Sequence, residues 1–167
     1  MSDKDILELI KERRSVRRFK SKMPPGLAIQ KMLEAGCWAP SGLNNQPWRF
    51  KVISDKIKKD SLAKFTRYSD VIYSAPFIII VCMSLEDSYH REKDLMAIGA
   101  CIENILLEAH SLGLGACWLG EILNKKKEVA EFLGLKDGLE IMAVLAAGYP
   151  DEKVLKGIRQ PLNKFKI

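Results

Sequence analysis

The sequence predicts a protein of mixed α and β structure in which helices cover buried strands. Three observations carry that expectation. Phe77-Ile78-Ile79-Ile80-Val81-Cys82-Met83 follows Pro76 as one unbroken, largely β-branched run, the mark of a central strand covered on both faces. Between about Tyr89 and Leu112 apolar residues return every three or four positions, the period of a helix. Shorter apolar runs at Trp48–Ile53, Ala116–Leu119 and Leu139–Ala147 read as further strands, the last two closed by glycines. At 167 residues the chain has the length of one domain, 1–167, with a sizeable core.

Each element has its own reason. Ser2 is placed to cap a first helix, with Asp3 and Asp5 at its positive end and Ile6, Leu7, Leu9 and Ile10 as its apolar face. Pro24-Pro25-Gly26 breaks the chain, and a second helix follows with Leu27, Ile29, Met32, Leu33 and Ala35 as its inner side. Ser54-Asp55 caps a short basic helix to about Phe65, whose Lys56, Lys58, Lys59 and Lys64 read as a solvent face. The long helix spans roughly 36 Å at 1.5 Å per residue. One seam holds Leu95, Ile98, Ile102, Ile105, Ala109 and Leu112; Met96, Gly99, Ala100, Leu106 and Leu107 form a second apolar side. A helix apolar on two sides must be covered twice, by a second subunit or by a deep monomer core. Glu103 and Asn104 are expected to make polar contacts at that interface. Gly113 suits a left-handed C-cap, Asn124 a helix start, and Leu133-Gly134 its end. The basic tail beyond Pro150 has little core pattern.

Two stretches carry chemistry. Arg13-Arg14-Ser15-Val16-Arg17-Arg18 sets four guanidinium groups beside a hydroxyl, a donor set matched to phosphate oxygens. A solvated helix end explains the same charges about as well. Ala39-Pro40-Ser41-Gly42-Leu43-Asn44-Asn45-Gln46-Pro47-Trp48 is a stiff loop between prolines with amides on short stems. It suits an edge-on grip of a flat, polar-rimmed ring, or an ordinary turn.

Composition narrows the classes. Net charge is +6 with 47% hydrophobic and 29% charged residues, a globular composition that favours anionic ligands. The basic residues are scattered, which argues against nucleic acid as a partner. No apolar run reaches membrane-spanning length, and the polar start lacks a signal core. Cys37, Cys82, Cys101 and Cys117 stand singly, read as reduced and mostly core, as in a cytoplasmic protein. With only His90 and His110, no metal site is expected.

Taken together, the pieces resemble the flavin-dependent nitroreductase family. The matching segments are Arg13–Arg17, Ala39–Trp48, Gly99-Ala100-Cys101-Ile102-Glu103-Asn104 leading to Gly113-Leu114-Gly115, Trp118-Leu119-Gly120, Gly148-Tyr149-Pro150 and Arg159-Gln160-Pro161-Leu162. The resemblance implies an α+β fold with a central, mostly antiparallel sheet flanked by helices in three layers. It also implies a homodimer with the long helix at its interface and one FMN in each of two shared sites. Arg13, Arg14, Ser15, Arg17 and Arg159 would then hold the phosphate end. Pro40, Ser41, Gly42 and Asn44 would meet the ring from the partner chain, with Gln46 and Trp48 in contact or in support of the loop. Leu119 and Gly120 would offer backbone N–H groups near the reactive ring nitrogen.

The resemblance further implies an oxidoreductase that takes electrons from NADH or NADPH and reduces nitroaromatic, quinone or related small acceptors by a ping-pong scheme. No side-chain acid or nucleophile is needed, so no catalytic residue is assigned. A flavin-binding storage or sensor protein, a relative acting on flavin or on an iodinated or cobalt compound, and a basic nucleic-acid-binding domain are the alternatives. Compared with the family pattern, the link after Cys82 and the tail are short, which leaves the substrate pocket open or differently walled.

Overall fold

A computed structural model describes residues 5–167. Ten elements follow in order: α1 Ile6–Glu12, α2 Gly26–Cys37, β1 Trp48–Ile53, α3 Lys56–Ala63, α4 Ser69–Ser74, β2 Phe77–Ser84, α5 Arg91–Ser111, β3 Gly115–Leu119, α6 Lys126–Leu133 and β4 Leu139–Gly148. The strands form one sheet in the order β1-β2-β4-β3, and every neighbouring pair is antiparallel.

Strand β2 shows why the layers form. All eight of its residues are buried. Ile78, Ile80 and Cys82 face one core, shared with residues of α3, α4 and α6; Phe77, Ile79, Val81 and Met83 face the other, shared with α2 and α5. Alternation along a pleated strand sends successive side chains to opposite faces, so a continuous apolar run needs a cover on each side. Burial pushes the thiols of Cys82 and Cys101 up to about 11 and about 12, so both stay protonated core groups. Cys37 is exposed.

The two sides of α5 separate only in part: Leu95, read on the inner seam, is exposed, and Leu106, read on the second side, is buried in the core. Ile98, Ile102, Ile105 and Ala109 are buried within the protomer, while Met96 is 69% exposed and Gly99, Ala100 and Leu107 are half-buried. Glu103 and Asn104 bond inside the chain: Glu103 accepts from Arg13 at 3.1 Å and the Asn104 amide donates to the Ala35 carbonyl at 3.0 Å.

Other expectations are corrected. The Ser2 and Asp3 caps lie outside the described residues; Asp5 caps α1, accepting from Leu7. Of the apolar face of α1, Leu9 is half-buried while Ile6, Leu7 and Ile10 are exposed. Leu27 is exposed on the first turn of α2. Lys59 is buried, its ammonium donating to the Ala75 carbonyl, so it leaves the solvent face. Desolvation pulls its pKa down. Asn124 caps nothing: it lies in a 3₁₀ turn, Glu121–Lys125, that leads into α6. The helix at Ser69–Ser74 is too short for periodicity to reveal. The C-caps behave as read, Gly113 and Gly134 both taking left-handed φ, at 73° and 58°.

Candidate functional site

The arginine run is laid against the edge of the sheet by its apolar members. Val16 and Phe19 are buried, and Val16 N–H donates to the Ala116 carbonyl on β3 at 3.0 Å. Gly115 permits this approach, since a Cβ there would lie 2.5 Å from the Val16 side chain. Lys20 N–H bonds the Tyr149 carbonyl and Asp151 N–H the Arg18 carbonyl, each at 2.9 Å, so the start of the tail is stitched alongside. With 16 and 19 turned inward, Arg13, Arg14, Ser15 and Arg17 line a cleft of about 410 Å³ with Glu152, Lys153, Lys156, Gly157 and Arg159 of the tail.

That cleft is strongly cationic. Six of its lining residues are Arg or Lys, against the single carboxylate of Glu152. Arg13 is already paired with Glu103. Arg14 packs so closely beneath Gly157 that a Cβ there would sit 2.3 Å from the guanidinium carbon, and its Nη1 donates to the Arg13 carbonyl. Its Nε is buried without a partner among the described residues. A buried guanidinium N–H with no acceptor is costly unless something anionic supplies one.

The amide loop is built differently. Leu43, Asn44 and Gln46 have φ of 54°, 54° and 47°, left-handed values that L-residues take only when held. Ser41 Oγ accepts from Gln46 N–H at 3.1 Å, and the Gln46 amide donates to the Asn44 carbonyl at 3.2 Å. Asn45 Nδ2 reaches Asp94 at 2.7 Å and the Asp87 carbonyl at 2.9 Å. Asp94 also accepts from the Tyr89 and His90 N–H groups at 3.1 and 3.0 Å, and it is wholly buried. Burial pushes its carboxyl up, but these hydrogen bonds outweigh that and hold it below its ordinary value. Tyr89 covers Gly42, where a Cβ would meet its hydroxyl at 1.9 Å.

Sequence reasoning missed Asp94, Tyr89, Lys153 and Lys156, and gave Asn45 no role. Asp94 was readable: it falls four residues before Ile98, a carboxylate on the buried seam of α5.

Leu119 ends β3 opposite Val144 with its side chain in the core, and Gly120 is exposed. A Cβ on Gly120 would touch nothing within 4 Å among the described residues, so none of them demands glycine there.

Within one protomer the expected residues form three groups rather than one. The arginines sit beside β3 at the Phe77 end of β2, because Ala116 pairs with Ala147 and Ala147 with Phe77. The loop sits before β1 at the other end, where Pro47 accepts from Ser84 and Trp48 pairs with Met83. Three strand spacings and the length of β2 put these corners roughly 25–30 Å apart.

This fold, with its basic cleft along an edge strand and its constrained amide loop, is that of the Nitroreductase family, and the chain belongs to it: the family's profile matches residues 10–149. A solved structure from Desulfovibrio desulfuricans, provisionally named a nitroreductase and determined in complex with FMN, has a TM-score of 0.94 and is 42% identical, covering 99% of this chain and 97% of that one. The brevity of the tail and of the link after β2 is therefore shared by at least one relative. An Archaeoglobus fulgidus protein, provisionally an NADH dehydrogenase/NAD(P)H nitroreductase, is 33% identical over 153 residues, 89% of this chain and 88% of its own. A Methanothermobacter thermautotrophicus protein of the same provisional name is 31% identical over 156 residues, covering 91% of this chain and 81% of its own.

Proposed function

We propose that this protein is an FMN-dependent oxidoreductase that draws electrons from NADH or NADPH and passes them to nitroaromatic, quinone or related small acceptors. The observation that carries this reading is the cationic cleft with its unsatisfied Arg14 Nε, in a chain that shares 42% identity with a relative solved with FMN. The residues fit the group. Several guanidinium and ammonium donors around one Ser hydroxyl suit a phosphate, which carries roughly −1.5 to −2 charges at pH 7. Arg13, Arg14, Ser15, Arg17 and Arg159 would hold that end. When bound, FMN supplies the ring that takes a hydride from the nicotinamide and gives up electrons to an acceptor.

The protein works as a homodimer in this reading. Loop and cleft lie at diagonal corners of one sheet, so one chain cannot bring both to one ligand. A two-fold partner packed on the outward side of α5, at Met96, Gly99, Ala100 and Leu107, explains why that side is apolar. Pro40, Ser41, Gly42 and Asn44 of the partner subunit then face the ring, and Leu119 and Gly120 turn N–H groups to the edge where reduction places negative charge. Gln46 and Trp48 support the loop. One opening serving donor and acceptor in turn gives ping-pong kinetics.

The test is the visible spectrum of the purified protein, identification of any released chromophore, and sedimentation. A yellow dimer releasing FMN and oxidising NADH or NADPH with an added quinone is expected. A colourless monomer that ignores FMN would overturn the proposal. Bound FMN without turnover would make this a storage or sensor protein.

A further inference from the structure

We infer that Glu152 is a built-in anion that occupies the phosphate cleft and sets its affinity, so that the ligand's phosphate must displace it. The inference rests on the FMN reading above. Glu152 Oε1 accepts from the Arg17 backbone N–H at 2.6 Å, within the cleft lined by Arg13, Arg14, Ser15, Arg17 and Arg159. A charge-assisted bond to a backbone N–H is the kind a phosphate oxygen makes. The carboxylate therefore stands where a ligand oxygen would be expected to stand.

Anchoring the tail does not require this contact. Asp151 N–H already bonds the Arg18 carbonyl, and Phe19 bridges Pro150. What Glu152 adds is charge. It is the only carboxylate among the lining residues, and it leaves Arg14 Nε without an acceptor. The cleft is thus partly neutralised at one donor and open at another. Glu152 is also exposed, so its side chain can swing into water when a stronger anion arrives. An exposed pair of this kind is readily exchanged, because water screens what is lost.

The experiment is equilibrium dialysis of the full-length protein, wild type and Glu152→Gln, against FMN, riboflavin and inorganic phosphate. Gln keeps the shape and an acceptor oxygen but removes the charge. Removing repulsion between a carboxylate and a nearby phosphate is expected to tighten FMN and inorganic phosphate by roughly three- to tenfold. Riboflavin, which lacks the phosphate, should change less than about twofold. Glu152→Ala should follow Glu152→Gln. If both variants bind FMN and phosphate as the wild type does, or more weakly, Glu152 is not a competitor and the inference falls while the FMN reading stands. An equal gain for riboflavin would also overturn it. If no form binds FMN, the function proposed above fails, and the inorganic phosphate arm still decides the role of Glu152.

Discussion

The amide loop and the arginine cleft are built on opposite plans. In the loop the Asn45 and Gln46 amides are spent on the protein itself, while the Asn44 side chain stays exposed. Asn45, Ser41 and Gln46 bond within the loop or to Asp94 and Asp87, and three left-handed residues are held at about 1 kcal/mol each. In the cleft the donors are gathered by backbone anchors at Val16 and Phe19 and then left largely open. The difference teaches where each half gets its precision. The loop is shaped before any ligand arrives; the cleft is positioned but waits for an anion to complete it.

The heaviest blow to this contrast should come at Asp94. Asp94→Ala leaves the Asn45 amide and the Tyr89 and His90 N–H groups without their buried acceptor. A loss of about 3–5 kcal/mol is expected, read as a fall in the urea midpoint. A change below about 1 kcal/mol would show that the loop is not held from α5.

Next in size is a loss of binding rather than of stability. Arg17→Ala should weaken FMN by about ten- to a hundredfold, roughly 1.5–3 kcal/mol of charge-assisted hydrogen bonding. Because Arg17 is exposed and its backbone bond to Glu152 survives, the unfolding midpoint should shift by less than about 0.5 kcal/mol. Equal FMN retention by wild type and variant would remove Arg17 from the phosphate site.

These two halves were not equally legible in the sequence. The sheet was, because a β-branched run such as Phe77–Met83 has few other uses. The arginine run was legible as a donor set, and the burial of Val16 and Phe19 makes it a cleft wall. Lys153, Lys156 and Glu152 were not, since nothing in a polar tail says which side chains return to residues more than a hundred positions earlier. The loop's amides were visible, but their division of labour was not: Asn45 is spent on Asp94 while Asn44 stays exposed, and only backbone conformation decides which of two adjacent asparagines turns inward. Lys59 was misread because a lysine among lysines has no sequence mark of burial.

A smaller, pH-dependent effect sharpens the comparison. Glu140 accepts from both outer nitrogens of Arg91, at 2.7 and 3.0 Å, and from Lys126 at 2.5 Å. The Arg91 hydrogen bonds, with Lys126, hold its carboxyl at about 2, below the ordinary 4.5. Arg91 opens α5 three residues before Asp94, so this contact supports the loop end and not the cleft. A depressed carboxyl contributes stability above its unfolded pKa, and that contribution is lost as pH falls from 4.5 toward 2. Glu140→Gln should cost about 1–2 kcal/mol at pH 7 after allowance for the exposed partners, and only a few tenths, about 0.4 kcal/mol or less, at pH 2. Amide exchange at pH 3 should open the first turn of α5 before the Val16 and Lys20 amides. Uniform loosening of both regions would remove the distinction.

The mildest change tests how stiff the loop's outer wall is. A methyl group at Gly42 would meet the Tyr89 hydroxyl at 1.9 Å, closer than any real contact, so one of the two must move. Tyr89 is 42% exposed, and its ring meets the Lys93 ammonium at 5.4 Å and the His90 ring at 6.3 Å, both at the surface. The ring can therefore turn into solvent, and Gly42→Ala should cost about 0.5–1 kcal/mol, much of it the lost cation–π contact. Because the clash is absorbed by a side chain at the rim, Asp94 keeps its three donors and the cleft at the far corner keeps its affinity for inorganic phosphate. A loss above about 2 kcal/mol would mean that Tyr89 is fixed in place, making it as much a part of the loop's frame as Asp94.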